Sequence, residues 1–212
     1  REFPELNNII KEEYYVLKKM NIPDLTELCN SIKLKLDEKS IEFTNHYSNY
    51  NKNKSWSAIS LRGYSDDFSF ITKPAEMNKK WKKENEGVHF ELQDTKLRNE
   101  FPEVEQILGY LQAVPHRIRF MNLTAGGGEL QRHTDQVDPD AGILNNKLMR
   151  IHIPIVTNDK VIFEQWDCDG KNVKGHMSLG ECWYLDVRKP HRAVNGGDTL
   201  RTHLVIDVEA NE

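Results

Sequence analysis

The sequence has few cysteines, no long apolar run and little excess charge, and each shortage excludes a class of protein. Its three cysteines, Cys29, Cys168 and Cys182, are far apart and odd in number. This spacing predicts neither a disulfide framework nor a Cys-x-x-Cys zinc site, and we expect a reducing compartment. No apolar run approaches the roughly 20 residues that cross a bilayer, so we expect a cytoplasmic protein with no membrane partner.

The charge balance predicts no attraction to polyanions. The 212 residues contain 29 Lys and Arg against 33 Asp and Glu, which leaves a formal net charge of −4 and an isoelectric point near 6.1. We therefore expect no nucleic-acid partner. The length fits one domain, large enough to fold without disulfides or zinc. The first residues, Arg1-Glu2-Phe3-Pro4, form neither a signal peptide nor a natural Met start.

The first half of the chain is patterned mainly for helices. Apolar residues recur at helical spacing over residues 4–36, where Pro23 opens a second segment that runs through Leu36. Pro102 is placed to begin another helix. The charged stretch that ends at Asn85 fits a surface helix. Two short strands are expected at 56–64 and 68–72, on either side of a turn-like segment.

From residue 115 onward the pattern changes to short β-rich runs separated by turn signals. The runs span 116–124, 148–157, 161–166, 171–179, 181–187 and 199–208. No helical pattern interrupts them, which favours an antiparallel sandwich, jelly roll or barrel. We predict one α+β, mainly β domain over 1–212. Its helical N-terminal layer (1–114) is expected to pack on a β-barrel core (115–212).

The most specific local feature is the triplet His133-Thr134-Asp135. On an extended chain the two outer residues point to the same side, so an imidazole and a carboxylate project together. A third ligand, for which His191 is the best candidate, completes the two-His, one-carboxylate face that suits non-haem Fe(II). Taken alone, a His-x-Asp pattern is more often a satisfied surface pair than a metal site.

Two strands repeat a second pattern. Arg150 and His152 share one face of their predicted strand, and Arg201 and His203 share one face of theirs, with aliphatic residues on the opposite faces. Arginine and histidine that face a barrel interior need an anion or a metal to compensate them, and a guanidinium binds a carboxylate through two hydrogen bonds. Two edge strands with solvated polar faces explain the same pattern.

These features belong to a series of motifs that follow one another in a set order. The series is Arg119-Phe120-Met121, Gly126-Gly127-Gly128, His133-Thr134-Asp135, the strand at 148–156, Gly180-Glu181-Cys182-Trp183-Tyr184-Leu185, Pro190-His191, Asn195, Arg201 and His203-Leu204-Val205-Ile206-Asp207. It resembles the aspartyl/asparaginyl β-hydroxylase-like Fe(II)/2-oxoglutarate dioxygenases, a group that includes bacterial free-proline cis-hydroxylases. The resemblance covers roughly residues 101–208.

The resemblance implies a double-stranded β-helix, the jelly-roll or cupin-like barrel. It implies that His133, Asp135 and His191 hold Fe(II). Arg201, ten positions beyond His191, is implied to pair with the distal carboxylate of 2-oxoglutarate, which His152 also faces. Animal peptide hydroxylases of this family lack the carboxylate ligand, so Asp135 places the chain nearer the bacterial members.

The function implied is hydroxylation of an amino acid, or of an amino-acid side chain in a peptide or protein. Fe(II), 2-oxoglutarate and O₂ take part, and decarboxylation of 2-oxoglutarate is coupled to hydroxylation of a C–H bond. Arg150 and Arg62 are candidates to hold a substrate carboxylate. The alternatives are a non-catalytic cupin-like module that binds or senses a metal or ligand, and a zinc-dependent hydrolase that uses the same metal ligands.

Overall fold

The structure, a computed structural model, describes most of the chain. Strands form the framework of the fold. The described residues are 17–48, 51, 53–134, 148–167, 169–187 and 189–209. They include three α-helices, α1 (Thr26–Lys39), α2 (Lys79–Glu84) and α3 (Pro102–Leu111), and short 3₁₀ turns at Pro74–Glu76 and Arg98–Glu100. None of the described helices is long and apolar enough to cross a membrane.

Twelve strands occur among the described residues. They are β1 (Leu17–Lys19), β2 (Thr44–Asn45), β3 (Trp56–Gly63), β4 (Gln93–Asp94), β5 (Val114–Leu123), β6 (Gly128–His133), β7 (Leu148–Val156), β8 (Val161–Trp166), β9 (Asn172–Gly175), β10 (Trp183–Leu185), β11 (His191–Asn195) and β12 (Arg201–Glu209).

The strands form two antiparallel sheets. The large sheet has the order β1-β10-β7-β12-β5-β3-β2, with β4 added beside β3, and the small sheet has the order β6-β11-β8-β9. Apolar side chains of both sheets, among them Met121 and Val205 of the large sheet and Phe163 of the small one, meet in a single buried cluster. The two sheets therefore face each other across a packed interior, as the sequence predicted.

The two faces of the large sheet differ because successive side chains of a strand point in opposite directions. On β12, Leu204 and Ile206 pack with Ile32 of α1 and Ile107 of α3 in the main apolar core. The alternate positions of β12, which begin with Arg201, face the small sheet. Helices α1 and α3 thus cover one face, and the polar residues of the other face line the barrel interior.

Several predicted elements are confirmed. α1 occupies the segment expected to begin at Pro23, and the side chain of Asp24 accepts a hydrogen bond from the backbone N–H of Thr26 at its start. α3 begins at Pro102, as expected. The N-terminal third nevertheless contributes more than a helical layer, because β3 pairs with β5 inside the large sheet.

Two expectations for local structure are wrong. Residues 17–19 form strand β1 rather than a helix, because Leu17 and Lys19 pair with Leu185 and Trp183 at the edge of the large sheet. Residues 68–72 form no strand. The carboxylate of Asp67 accepts hydrogen bonds from the backbone and hydroxyl of Ser69, which closes a turn instead. The first part of the predicted helical segment, residues 4–16, lies outside the described residues.

Candidate metal centre

The pairing of β6 with β11 places two histidines side by side. His133 ends β6 and His191 begins β11, and the antiparallel register sets these residues directly opposite each other. Their imidazole ring centroids lie 4.4 Å apart. The sequence predicts both ligands but neither β6 nor β11 as a strand, so this pairing comes from the structure alone.

A glycine-rich turn aligns the two strands. Gly126 and Gly127 donate backbone hydrogen bonds of 2.8 Å to the carbonyls of Gly197 and Asn195, and Gly127 adopts a φ of +100° that favours glycine. A Cβ atom on Gly128 would lie 2.1 Å from the carbonyl oxygen of Thr124. The turn therefore needs small residues to bring β6 against β11 in the register that pairs the histidines.

Backbone carbonyls orient both imidazoles. Nδ1 of His133 donates to the carbonyl of Gln131 at 2.7 Å, and Nδ1 of His191 donates to the carbonyl of Lys189 at 2.9 Å. A carbonyl only accepts, so each Nδ1 carries a proton and Nε2 is the ring nitrogen left to bind a metal. This is the tautomer in which a histidine binds a metal, with its second nitrogen fixed by a hydrogen bond.

The two histidines can offer a divalent metal two nitrogen ligands from adjacent strands. Within the described residues, no group of three histidine, cysteine or acidic side chains gathers at one point. Asp135, the predicted carboxylate ligand, lies outside the described residues. His133 and His191 line a cavity between the sheets together with Arg150, His152 and Arg201. The structure thus brings most of the predicted site residues to one cavity.

Arg201 supplies a buried cation to this cavity. Its side chain is 3% exposed, and Nη2 donates to the carbonyl of Met121 at 2.9 Å. Nε is buried without a hydrogen-bond partner, and among the described residues no carboxylate pairs with the guanidinium. Burial lowers the pKa of Arg201 to about 9. A carboxylate ligand compensates such a group, because it accepts two parallel hydrogen bonds from a guanidinium.

His152 and His203 form a buried imidazole pair beside Arg201. Their Nδ1 atoms lie 3.1 Å apart. Burial and the positive charge of Arg201 hold the pKa of both imidazoles well below the ordinary value, and Arg150 adds to the effect at His152. Both rings are neutral as a result, and His152 presents a polar edge to the cavity without a competing charge.

The two predicted substrate arginines lie in different places. Arg150 lines the cavity, where its Nε donates to Oδ1 of Asp207 at 2.8 Å. Arg62 is not among the described residues that line the cavity, and its Nη1 pairs with Oδ1 of Asp94 at 3.2 Å. The register explains the placement of Arg62: β3 shifts between Ser60 and Arg62, so Arg62 pairs with Ile118, whose side chain faces the helices.

The acidic partner of Arg150 has no role that the sequence predicts. Asp207 is 3% exposed and lies opposite Arg150 in the register of β7 and β12. Arg117 and Arg119, on the same face of β5, also approach its carboxylate. In the sequence, Arg117 and Arg119 alternate in a predicted strand, which places both arginines on one face. The sequence does not show that this face meets Asp207, which lies 88 residues beyond Arg119.

A protein family and a curated relative match this chain by sequence. Residues 22–211 match the sequence model of the family described as Aspartyl/Asparaginyl beta-hydroxylase. The chain is also 35% identical over 78 residues to the L-proline cis-4-hydroxylase of Rhizobium meliloti (strain 1021). That alignment covers 37% of this chain and 24% of the relative, so it spans about a quarter of the relative's length.

Comparison with solved structures shows the fold. A Pseudomonas putida prolyl-4-hydroxylase aligns over 100% of both chains with a TM-score of 0.56 and 10% identity. An oxidoreductase of the 2OG-Fe(II) oxygenase family from Burkholderia pseudomallei aligns over 99% of this chain and 90% of its own, with a TM-score of 0.60 and 11% identity. The predicted double-stranded β-helix is confirmed.

Proposed function

The chain belongs to the aspartyl/asparaginyl β-hydroxylase family, and on that premise we propose that it is an Fe(II)- and 2-oxoglutarate-dependent hydroxylase. Its proposed substrate is an amino acid, or an amino-acid side chain in a peptide or protein. The curated relative is named for hydroxylation of L-proline, and a structural neighbour is a prolyl-4-hydroxylase. Both names support C–H hydroxylation of an amino-acid unit as the reaction class.

The observation that carries the proposal is the pairing of His133 with His191 beside the buried guanidinium of Arg201. Two imidazoles whose Nδ1 atoms are held by backbone carbonyls suit a divalent iron, and an uncompensated cation in the same cavity suits an acidic cosubstrate. A hydrolytic zinc site needs no such cation. We assign His133, Asp135 and His191 as the ligands of Fe(II).

When bound, the iron supplies the activation of O₂ that couples decarboxylation of 2-oxoglutarate to C–H hydroxylation. The protein's part is to bind and orient. The hydrogen bonds of His133 and His191 to backbone carbonyls set the direction in which their Nε2 atoms bind. Leu130, Phe163 and Ala193 give the cavity apolar walls that limit the access of water.

We assign Arg201 and His152 to the 2-oxoglutarate subsite. The guanidinium of Arg201 has a buried Nε with no described partner, and that nitrogen can donate to a carboxylate. His152 is neutral and lines the same cavity, so it can donate one hydrogen bond without repelling Arg201. Because Arg201 is a buried cation that lines the cavity, its charge orients one carboxylate of the cosubstrate toward it.

On the substrate side we assign Arg150, which lines the cavity and is held by Asp207. Arg62 stays a weaker candidate, since its guanidinium pairs with Asp94 away from the cavity lining. A carboxylate that approaches Arg150 meets a guanidinium whose Nε is already anchored, so Arg150 has less rotational freedom to lose when it binds.

The proposal is tested by succinate formation from 2-oxoglutarate with a panel of amino acids and peptides, with mass spectrometry of the products. We expect succinate that depends on both iron and 2-oxoglutarate, together with a product 16 Da heavier than its substrate, the mass of one oxygen atom. Metal binding without succinate for any substrate supports instead a non-catalytic cupin-like module. Turnover that needs zinc but no 2-oxoglutarate supports a hydrolase.

A further inference from the structure

Gln165 is a buried polar residue beside the two metal-binding histidines, and the site described above does not use it. It lies directly opposite His191 in the register of β8 and β11, and His191 lies opposite His133. Its position alternates with that of Phe163, which lines the cavity, so its side chain lies on the same face of the small sheet as both histidines. Gln165 is 0% exposed and is not among the residues that line the cavity.

The side-chain amide of Gln165 holds a turn in the chain before β11. Its Nε2 donates to the carbonyl oxygen of Asp186 at 2.7 Å, and the same carbonyl accepts the backbone N–H of Lys189 at 3.3 Å. The backbone N–H of Trp166, the next residue of β8, donates to the carbonyl of Pro190 at 3.1 Å. The end of β8 thus binds the turn at Asp186 and again at Pro190, directly before β11 begins.

This turn carries the hydrogen-bond acceptor that orients His191. Nδ1 of His191 donates to the carbonyl of Lys189 at 2.9 Å, and Lys189 is the residue that closes the turn on the Asp186 carbonyl. A salt bridge of 3.3 Å between the side chains of Lys189 and Asp186 joins the two ends of the turn to each other. The bond from Gln165 instead ties the turn to β8, so its loss lets the Lys189 carbonyl shift relative to the His191 ring.

The acceptor that orients His133 is held in a different way. Nδ1 of His133 donates to the carbonyl of Gln131, which is also two residues earlier in the chain. Gln131 lies inside β6, flanked by residues that pair with β11, so the sheet fixes its backbone. Lys189 precedes β11 and lies outside the strands. The acceptor of His191 therefore depends on a side chain from a neighbouring strand, and the acceptor of His133 depends on its own strand.

The oxygen of the Gln165 amide indicates that the residue does more than fill space. Oε1 is buried and makes no hydrogen bond with the described residues. A buried amide without its full set of hydrogen bonds costs free energy, and an apolar side chain of similar size fills the same space without that cost. The bond from Nε2 to the turn therefore explains why an amide suits this position.

We propose that Gln165 is a positioning residue for the metal. Its amide holds the turn between Asp186 and Lys189 and, through the Lys189 carbonyl, fixes the direction in which Nε2 of His191 binds. The inference rests on the proposed iron site and adds to it a residue that does not line the cavity. Replacing a residue that orients a metal-binding histidine typically weakens metal binding by about 10- to 100-fold. Gln165 acts one hydrogen bond further away, so we expect the lower end of that range.

Anaerobic equilibrium dialysis of the full chain with Co(II), a visibly coloured substitute for Fe(II), tests the inference without turnover. Gln165→Met keeps the size of the side chain but removes the donor. It should weaken Co(II) binding about tenfold and alter the visible absorption of the bound ion, because the ligand geometry changes. Glu164→Gln is the matched control, since Glu164 pairs with Arg192 and Lys174 on the opposite face of β8 and should bind Co(II) as the wild type does. Ile107→Val, in the core beneath α3, controls for lost stability.

NMR of the metal-free protein locates the effect at one histidine. In Gln165→Met the Nδ1 proton of His191 should exchange faster with water, whereas the Nδ1 proton of His133 should keep its wild-type rate. A general loss of stability speeds both exchanges. If Gln165→Met does not fold, Gln165→Asn takes its place with the same expected changes, because the shorter side chain no longer reaches the Asp186 carbonyl.

The outcomes separate this inference from the proposed function. Wild-type Co(II) affinity and wild-type exchange at His191 in the Gln165 variant overturn the inference and leave the hydroxylase intact. Equal acceleration at both histidines, or an equal loss of affinity in Ile107→Val, shows a general loss of stability and overturns it too. Weaker metal binding confined to the Gln165 variant, in a protein whose wild type forms no succinate, supports the positioning role and overturns the hydroxylase. A wild type that binds neither Co(II) nor Fe(II) overturns both.

Discussion

The Nδ1 atoms of His152 and His203 lie 3.1 Å apart inside the barrel, and both imidazoles are neutral. One of the two rings must therefore donate to the other. Nε2 of His203 is buried and has no hydrogen-bond partner among the described residues. An unpartnered buried lone pair costs less than an unpartnered buried N–H. The proton of His203 accordingly sits on Nδ1, and His152 carries its own proton on Nε2, where it is available to the cavity.

The first prediction concerns this tautomer. Nitrogen-15 NMR of the protein at neutral pH should show His152 protonated at Nε2 and His203 protonated at Nδ1. His203→Phe removes the donor to His152 and should raise the KM for 2-oxoglutarate by about tenfold, the loss of one hydrogen bond to a charged group. His203→Gln offers an amide donor and should lie closer to the wild type. A wild-type His152 protonated at Nδ1 contradicts the assignment.

A second prediction follows from the pKa values of the same two residues. Unfolded histidine titrates near 6.5, whereas in the folded protein burial and then Arg201 hold both pKa values well below that. The unfolded state therefore binds more protons below about pH 6.5, so the free energy of unfolding should fall as the pH drops. Each histidine contributes up to about 1.4 kcal/mol per pH unit in that window and nothing above it.

Urea unfolding between pH 5.5 and pH 7.5 measures this dependence. His203→Phe should reduce the slope below pH 6.5, because one of the two neutral imidazoles is gone. His89→Phe, at an exposed histidine whose side chain is 83% accessible, is the matched control substitution. Equal slopes in wild type and His203→Phe would show that His203 titrates alike in both states.

The third prediction addresses the metal ligands. His133→Ala, Asp135→Ala and His191→Ala should each abolish iron-dependent succinate formation and leave the fold largely intact, because each removes one ligand of the proposed iron. Iron binding measured by equilibrium dialysis should weaken in step with activity. His89→Ala should behave as the wild type. Near-normal succinate formation in any of the three variants would remove that residue from the ligand set.

A fourth prediction concerns the cosubstrate. Arg201→Ala should raise the concentration of 2-oxoglutarate required for half-maximal rate at least about tenfold, since loss of one partner of a buried charge pair costs roughly 2–5 kcal/mol. Arg201→Lys should recover only part of the affinity because lysine lacks the paired donors. Arg192→Ala, which changes an arginine on the opposite face of β11 from the cavity, serves as control. An unchanged requirement in Arg201→Ala would place 2-oxoglutarate elsewhere.

Elements whose signals are local were predictable from the sequence. Pro102 suits the first position of a helix, and the apolar spacing of Val104, Ile107 and Leu111 supplied the face that α3 buries. The alternation of Arg201, His203 and aliphatic residues predicted a strand with one polar face, and β12 confirms it. Both features depend on residues within about one helix or strand length, which is why inspection of the chain sufficed.

Strands that depend on pairing with distant parts of the chain were not predictable from the sequence. Leu17 sits in helix-like spacing but forms a strand, because β10, more than 160 residues later, offers an edge to pair with. β6 and β11 are short, begin or end at glycine or polar residues, and β11 directly follows Pro190, so neither shows a clear alternation. Their strand structure depends on the backbone hydrogen bonds that Gly126 and Gly127 make to residues near Asn195.

The sequence by itself determined the chemistry that the chain can offer: two histidine-bearing motifs, two strands with paired Arg and His, and a mainly β fold. Only the tertiary structure decided which of these groups meet. The register of β6 against β11 sets His133 beside His191, although 58 positions separate them, and the register of β7 against β12 sets Asp207 beside Arg150. Burial then makes these contacts strong. A charge or an imidazole that has lost its water is stabilised only by the few polar atoms that the two sheets place around it.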